Sequence, residues 1–340
     1  MRRLTAARVA RVLAAQAGVL AAVAALALAL GPSGLSPDVV WQTLVGDAPS
    51  GPAADIVWRV RLPRVLLAAL VGASLSAAGA LFQGLLRNPL ADPFVLGISG
   101  GAALAGVFVL GFGRGLGLGH AAVPPAAFAG ALLATALLYT VAGHRGRALP
   151  GSLLLTGVVF NAVASAAIVF VASLSGMAEG TSIFLWLIGS LSAVRGPTVG
   201  FVALLLAIGL ALSLPRSRNL NLLALGEESA RQLGVDVERE QRALLLATSL
   251  MVGAAVSVAG LVGFVGLIVP HLLRLVLGPD HRLLVPASAL CGASFLILCD
   301  GAARSLLPGR ELPVGALTAL AGGPLFLWLL RRENTRGLFP

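Results

Sequence analysis

The residue types that most often act in catalysis or bind metals, such as His, Cys and Lys, are scarce or absent in this sequence. Those present are not spaced as in a known catalytic or metal-binding motif. The four histidines fall near the ends of apolar segments, and none has a partner three or four residues away that would suggest a metal site. Cys291 and Cys299 stand in one apolar segment, where packing is favoured over a disulfide framework. Lys is absent and all 24 basic residues are Arg, which excludes a P-loop and a Schiff-base lysine. We therefore expect no catalytic residue, no metal site and no cofactor bound by this chain.

One hydrophilic segment, about 215–242, has a pattern suited to binding a partner. Within it Gly226 precedes a short amphipathic stretch that carries Glu227 and Glu228 in its first turn, and Gly234 follows the end of that stretch. Acidic residues at the start of a helix and glycine after its end match helix polarity and C-capping. The pattern predicts a short helix that a soluble partner could bind, and a solvated connector fits these residues equally well.

The rest of the sequence has the composition of a membrane protein. Of its 340 residues, 58% are hydrophobic and 11% are charged, and the mean hydropathy is +0.95. A soluble domain has about 25% charged residues, whereas a membrane-spanning helix needs about 20 apolar residues. This composition excludes a soluble enzyme, a disordered chain and a disulfide-stapled secreted module.

Ten apolar segments predict an all-α, polytopic fold of about ten transmembrane helices in one domain, 1–340. The first segment is too long for a typical signal-peptide core and lacks a clear cleavage site, so we expect an uncleaved first span. A half-length helix is expected over 181–192. The predicted spans are about 12–30, 64–86, 94–112, 123–142, 152–174, 197–214, 243–261, 262–277, 283–303 and 312–330.

The distribution of arginines sets the orientation. With ten spans and both termini in the cytoplasm, 17 arginines lie on the cytoplasmic side and 7 lie outside. Cytoplasmic loops of membrane proteins carry an excess of basic residues, so the count favours this topology over an inverted or nine-span arrangement. The net charge of +10 is therefore interpreted as an orientation signal, and no nucleic-acid partner is expected.

Several long blocks occur in one order along the chain. They are R-L-P-R at 61–64, R-N-P-L-A-D-P at 87–93 followed by L-G-I-S-G-G at 96–101, the stretch 223–235, G-L-V-G-F-V-G-L-I-V-P-H at 260–271 followed by G-P-D-H-R at 278–282, and E-L-P-V-G at 311–315. Together they resemble the permease family of bacterial ABC importers for iron–siderophore complexes, haem and vitamin B12. The resemblance covers about 59–332 and is specific for the family but not for the substrate.

This resemblance implies the architecture of a type II ABC importer permease in the bacterial inner membrane. The implied partners are a second copy of the chain or a paralogue, two ATPase subunits that bind ATP-Mg, a periplasmic or lipid-anchored substrate-binding protein, and membrane lipid. The chain itself is then a transport subunit and not an enzyme. An iron–siderophore complex is the expected substrate, moved by alternating access, and haem or cobalamin is the alternative. A secondary carrier that works without an ATPase is a more remote possibility, because Asp300 lies near the end of its span and supports ion coupling only weakly.

The resemblance also implies roles for individual residues. The coupling helix, which would sit in a cleft of the ATPase, matches Gly226, Glu227, Glu228, Ser229, Ala230, Arg231, Gln232, Leu233 and Gly234. Arg61, Arg64 and Arg304 match arginines that bind acidic side chains of the binding protein, since an Arg offers a bidentate fork to a carboxylate. Anchoring to lipid phosphate is the alternative role for these three arginines.

The last implied site is a cytoplasmic gate at the turn that enters the fifth span. That turn reads L-P-G-S at 149–152, so the gate falls on Pro150 and Gly151, where some relatives have small hydroxylated residues. Asn161 and Ser165 lie one turn apart on the fifth span. They are candidates to face the central pathway, and a helix–helix hydrogen bond explains them equally well.

Overall fold

The computed structural model describes residues 4–31, 34–46, 51–144, 147–148, 150–191, 196–307 and 310–334. Two short strands, β1 (Gly143–His144) and β2 (Arg147–Ala148), pair as an antiparallel hairpin, and all longer elements in these ranges are helices. The helices are α1 (Ala6–Ala29), α2 (Pro37–Val45), α3 (Pro52–Asp55), α4 (Leu62–Leu85), α5 (Ile98–Phe112), α6 (Val123–Ala142), α7 (Pro150–Leu174), α8 (Met177–Leu187), α9 (Gly196–Ser213), α10 (Ser217–Leu223), α11 (Glu227–Gln232), α12 (Val237–Ala259), α13 (Val265–Leu277), α14 (His281–Ser305) and α15 (Val314–Asn334).

The predicted all-α, polytopic fold is confirmed, and each of the ten predicted spans coincides with a helix. In the described part of the chain, eight helical segments are long and apolar enough to cross a membrane. The other two spans correspond to α13 and to the apolar part of α15, Val314–Leu329, which are shorter apolar helices. The expected half-length helix is α8, which begins four residues earlier than predicted, at Met177, and ends at Leu187.

The eighth span is shorter than the sequence predicts, because backbone geometry delays its start. α12 ends at Ala259, and the next residue, Gly260, has a φ of +68°. A Cβ at Gly260 would collide with the carbonyl oxygen of Trp186 at the end of α8, so only glycine allows this close approach. Residues 260–264 are not helical and end at Phe264, which has a φ of +69°, so α13 begins at Val265 and not at 262.

Three helices form the centre of the bundle. The most apolar stretches of α4, α12 and α14 are 83%, 72% and 72% buried, whereas those of α1 and α7 are 11% and 17% buried. α4 packs closely on α14 and α13, because Gly72 lies against the backbone of Gly292 and Gly79 against the backbone of Gly266. Small residues at such crossings let membrane helices approach and gain van der Waals contact.

Contacts between distant parts of the chain define two ends of the bundle. At one end the Arg8 Nη2 of α1 donates to the Leu277 carbonyl at the last residue of α13, at 3.1 Å. α10 packs against α14 at this end, so the neighbouring α11 lies there too, and we call it the α11 end. At the opposite end the Arg61 Nη1 donates to the carbonyl of Ala29, the last residue of α1, at 3.2 Å. We call this the arginine end.

Candidate functional site

The hydrophilic segment at the α11 end forms α10, α11 and the beginning of α12. α11 itself covers Glu227–Gln232, inside the predicted 226–234. Gly226, just before it, has a φ of +123°, and Gly234, just after it, has a φ of +82°. These are values that side chains disfavour, so glycine at both ends fixes where this helix begins and ends. The short helix predicted from the two glycines is present, and its coupling role stays a prediction.

Side chains on one face of α11 attach it to the first turns of α12. The Arg231 Nη2 lies 2.7 Å from the Glu238 Oε1, and the Gln241 Nε2 donates to the Glu227 Oε1 at 3.1 Å. Ala230 is fully buried beneath these contacts. These contacts join α11 to α12, which continues into the buried centre of the bundle.

The other face of α11 is open. Glu228, Ser229 and Gln232 are exposed, and Leu225 and Leu233 are 70% and 62% exposed on either side of the helix. Two exposed leucines beside exposed polar groups are suited to a partner protein that buries the leucines, since burial of an apolar side chain is favourable by about 1.5–3 kcal/mol. This surface is suited to binding a soluble partner.

α10 joins α11 to the turn between α13 and α14. The Asn221 Nδ2 donates to the Asp280 Oδ1 at 2.8 Å, and the backbone N of His281 donates to the Asn221 Oδ1 at 2.9 Å. Asp280 also accepts from the Arg282 Nη2 at 2.6 Å, and these hydrogen bonds, led by that of Arg282, lower the pKa of Asp280 to about 2. The G-P-D-H-R block thus holds α10, the helix that leads into α11. The sequence did not indicate this role.

At the arginine end, two of the three predicted docking arginines belong to a buried ionic cluster. The Arg64 Nη2 lies 3.0 Å from the Asp300 Oδ1, and its Nη1 lies 3.0 Å from the Glu311 Oε2. The Arg304 Nε lies 3.0 Å from the Asp300 Oδ2. The side chains of Arg64, Asp300 and Arg304 are at most 9% exposed, whereas that of Glu311 is 49% exposed. We call these four residues the arginine cluster.

Arg61, the third predicted docking residue, lies beside this cluster. Its Nη1 donates to the carbonyl of Leu28 at 2.5 Å, and the residue is only 2% exposed. Three guanidinium groups thus lie close together at this end, and two carboxylates, Asp300 and Glu311, pair with those of the arginine cluster.

The structure places all three predicted docking arginines in contacts within the chain. Arg64 and Arg304 are engaged by Asp300, and Arg61 is engaged by the end of α1, so none presents an unoccupied fork. Asp300 stands four residues before Arg304, which is the spacing of a helical ion pair and could have indicated their contact. No local spacing indicates the contact between Arg64 and Asp300, which are 236 residues apart. The docking role itself stays a prediction.

The predicted gate residues lie at the beginning of α7. The β1–β2 hairpin, in which Gly143 is opposite Ala148, leads into this helix. Leu149 of the predicted turn lies outside the described residues, and α7 begins at Pro150. Gly151 is exposed, and a Cβ at this position would meet nothing within 4 Å. Gating by Pro150 and Gly151 stays a prediction.

The first of the two candidate pathway residues makes hydrogen bonds within the chain. The Asn161 Nδ2 donates to the carbonyls of Phe94 and Val95 at 2.8 and 3.1 Å, so it joins α7 to the turn before α5. The acceptors belong to a turn and not to another helix, and the pathway role of Asn161 and Ser165 stays a prediction. Ser165, one turn further on, is exposed. Within the described ranges no group of three or more His, Cys, Asp or Glu side chains is placed to hold a metal ion.

The fold defines the class of the protein. A solved structure assigned to the metal-chelate type of ABC transporter, in an inward-facing conformation, matches 95% of this chain and 99% of its own chain. The TM-score is 0.82 at 30% sequence identity. With its membrane-spanning helices, the chain is therefore a multi-pass permease of the ABC transporter class.

The sequence comparisons identify the family. The chain belongs to the FecCD transport family, whose model matches residues 19–332. The cobalamin import system permease protein BtuC of Halobacterium salinarum is 45% identical over 279 residues, which are 82% of this chain and 74% of that protein. The hemin transport system permease protein HmuU of Yersinia pestis is 41% identical over 309 residues, 90% of each chain. The resemblance found in the sequence is confirmed, and the chain is an ABC importer permease.

Proposed function

We propose that this permease imports a large metal chelate across the bacterial inner membrane by alternating access. The relatives named for cobalamin and haem support these two substrates as strongly as the iron–siderophore complex expected from the sequence. In the proposed orientation the α11 end and both termini face the cytoplasm, because 17 of the 24 arginines then lie on that side. The arginine end faces the periplasm.

The observation that carries the mechanism is that α11 is open on one face and attached to the core on the other. A separate ATPase subunit, which itself holds ATP-Mg, binds the exposed face of α11 between Leu225 and Leu233. Its movement reaches α12 through the Arg231–Glu238 ion pair and the Gln241–Glu227 hydrogen bond. Two permease subunits, either copies of this chain or a pair with a paralogue, enclose the pathway, and the wide exposed face of α7 is consistent with such a partner.

At the periplasmic side a binding protein delivers the substrate. Its acidic side chains dock on the arginine cluster and Arg61, where the grouped guanidinium side chains attract them. Specificity rests mainly on the binding protein, because the spans offer mostly Leu, Val, Ala and Gly to the substrate. The permease then forms no covalent bond to its cargo.

The experiment that tests coupling is transport by proteoliposomes that contain the permease and its ATPase, with the binding protein added. An alanine block over 226–234 should abolish ATP-driven uptake and detach the ATPase while the protein still purifies as a folded species. Arg239→Ala, which changes an exposed residue of α12 outside the block, is the matched control and should transport normally. Uptake that survives the block would refute the coupling role of α11.

A further inference from the structure

The proposed function leaves unused a cleft of about 610 Å³ at the α11 end. Its walls come from three parts of the chain: the beginning of α1, the residues that precede α11, and the 274–281 stretch that joins α13 to α14. Arg8 and Arg274 are the two arginines in its lining. The cleft is therefore both basic and close to the boundary at which α13 leaves the membrane.

Arg274 has no acidic partner among the described residues. Its Nη2 donates to the neutral amide oxygen of Gln83 at 3.2 Å, and its Nε is buried without any hydrogen-bond acceptor. A buried donor of this kind is costly unless an acceptor satisfies it, and the cost is greater when the group is charged. Arg274 lines the cleft, so an anion bound there would give this guanidinium the charged partner that the described residues do not supply.

The carboxylate in the cleft lining, Asp280, is paired with other groups. Asp280 already accepts hydrogen bonds from the Arg282 Nη2 at 2.6 Å and from the Asn221 Nδ2 at 2.8 Å. Arg282 compensates its charge, and Arg8 adds a second guanidinium, held at the cleft by its 3.1 Å hydrogen bond to the Leu277 carbonyl. The described lining thus brings two guanidinium groups, those of Arg8 and Arg274, to the cleft.

The flanks of the cleft are apolar and open. Leu275 and Val276, on the last turn of α13, are 53% and 78% exposed and lie directly beside Arg274 in the chain. Arg binds phosphate oxygens with two parallel hydrogen bonds, and an acyl chain gains free energy by covering exposed apolar side chains. A free phosphate ion would use the arginines and leave Leu275 and Val276 uncovered.

We propose that this cleft binds the phosphate headgroup of an anionic phospholipid, with the acyl chains along Leu275 and Val276. The lipid belongs to the leaflet on the α11 side, and its headgroup lies beside Ala224, which leads into α11. The bound lipid steadies the segment that holds α11 in position. This site depends only on the chain spanning a membrane, so it stands even if the proposed substrate or the coupling role is wrong.

The test uses the purified full chain in nanodiscs that contain equal amounts of phosphatidylglycerol and phosphatidylcholine. After transfer to detergent, native mass spectrometry counts each lipid that remains bound. The wild type should retain phosphatidylglycerol in clear excess, and Arg274→Gln should reduce that excess about fivefold, as expected for one arginine near a membrane surface. Arg239→Gln, which removes an exposed arginine at the same end but outside the cleft, should leave it unchanged.

Two further measurements keep the proposal falsifiable. If Arg274→Gln does not fold, Arg274→Lys should keep most of the excess and Arg8→Gln should reduce it. Equal retention of both lipids by the wild type, or an undiminished excess in folded Arg274→Gln, would overturn the proposal. Displacement of phosphatidylglycerol by 10 mM inorganic phosphate would show that the site takes free phosphate and would also refute it.

Discussion

Glu311→Gln is expected to tighten the binding of the substrate-binding protein, because Glu311 competes with that protein for Arg64. The Arg64 Nη1 lies 3.0 Å from both carboxylate oxygens of Glu311, whereas Asp300 holds the other side of the guanidinium. Glu311 is the exposed member of the cluster, with 49% of its side chain accessible. A docking carboxylate can therefore replace Glu311 and leave the buried Arg64–Asp300 pair intact.

The size of the effect follows from this exposure. A charge-assisted hydrogen bond contributes about 1.5–3 kcal/mol when it is buried, and an exposed ion pair contributes about 0.2–1 kcal/mol. For a half-exposed carboxylate we take about 1 kcal/mol, which is a factor of about five in Kd. The amide of Gln keeps an acceptor but no charge, so most of this competition disappears. The loss of the carboxylate also raises the net charge of the site by one unit, which speeds association with an acidic partner at low salt.

The assay is surface plasmon resonance with the permease in nanodiscs and the binding protein in solution, at low and high salt. Glu311→Gln should lower Kd about fivefold at low salt, and the gain should shrink as salt screens the charges. Glu179→Gln is the matched control, because it removes an acidic side chain that pairs with an exposed arginine, Arg114, outside the cluster. Unchanged or weaker binding by Glu311→Gln would refute the competition and the docking position together.

Three further predictions concern the two ends of the bundle. Asp300→Asn should lower the free energy of unfolding by about 3–5 kcal/mol, because the buried guanidinium groups of Arg64 and Arg304 lose the carboxylate that they share. Thermal unfolding in detergent measures this change, and a loss below about 1 kcal/mol would contradict the role of Asp300 in the arginine cluster. Arg231→Glu should reduce ATP-driven uptake, and the double variant with Glu238→Arg should restore part of it; no restoration would show that the ion pair does not transmit movement. Burial raises the pKa of Asp92 to about 6, so the folded protein holds this proton more tightly than the unfolded chain does. The free energy of unfolding should therefore fall as the pH rises from about 4 to 6. Asp92→Asn keeps the acceptor for the backbone N of Phe94 and should gain melting temperature over the wild type across this range; a constant difference would contradict the assignment.

The sequence predicts the features of this protein that depend on local pattern. Runs of apolar residues predict the spans, since a helix is the element that satisfies its own backbone in lipid. Gly226 and Gly234 predict the limits of α11, because both positions have a left-handed φ that glycine adopts readily. These signals are contained within a few neighbouring residues.

The remaining features depend on contacts between distant residues. The spacing of Arg64 in R-L-P-R does not reveal that Asp300 and Glu311 fold back onto it. Nor does the composition of the eighth span reveal that Gly260 packs against the backbone of Trp186, or that residues 260–264 are not helical. In both cases the packing of distant segments determines the structure, and the neighbouring residues in the sequence do not indicate it.

The measurement that tests the central claim most directly is uptake by proteoliposomes with and without the ATPase subunit. Cobalamin, haem and a ferric siderophore are offered in turn, each with its binding protein outside and ATP inside. The account predicts accumulation of one of these chelates only when the ATPase, ATP and the binding protein are all present. Equal accumulation in vesicles that contain the permease alone would contradict it and would identify the chain as a carrier that works without an ATPase.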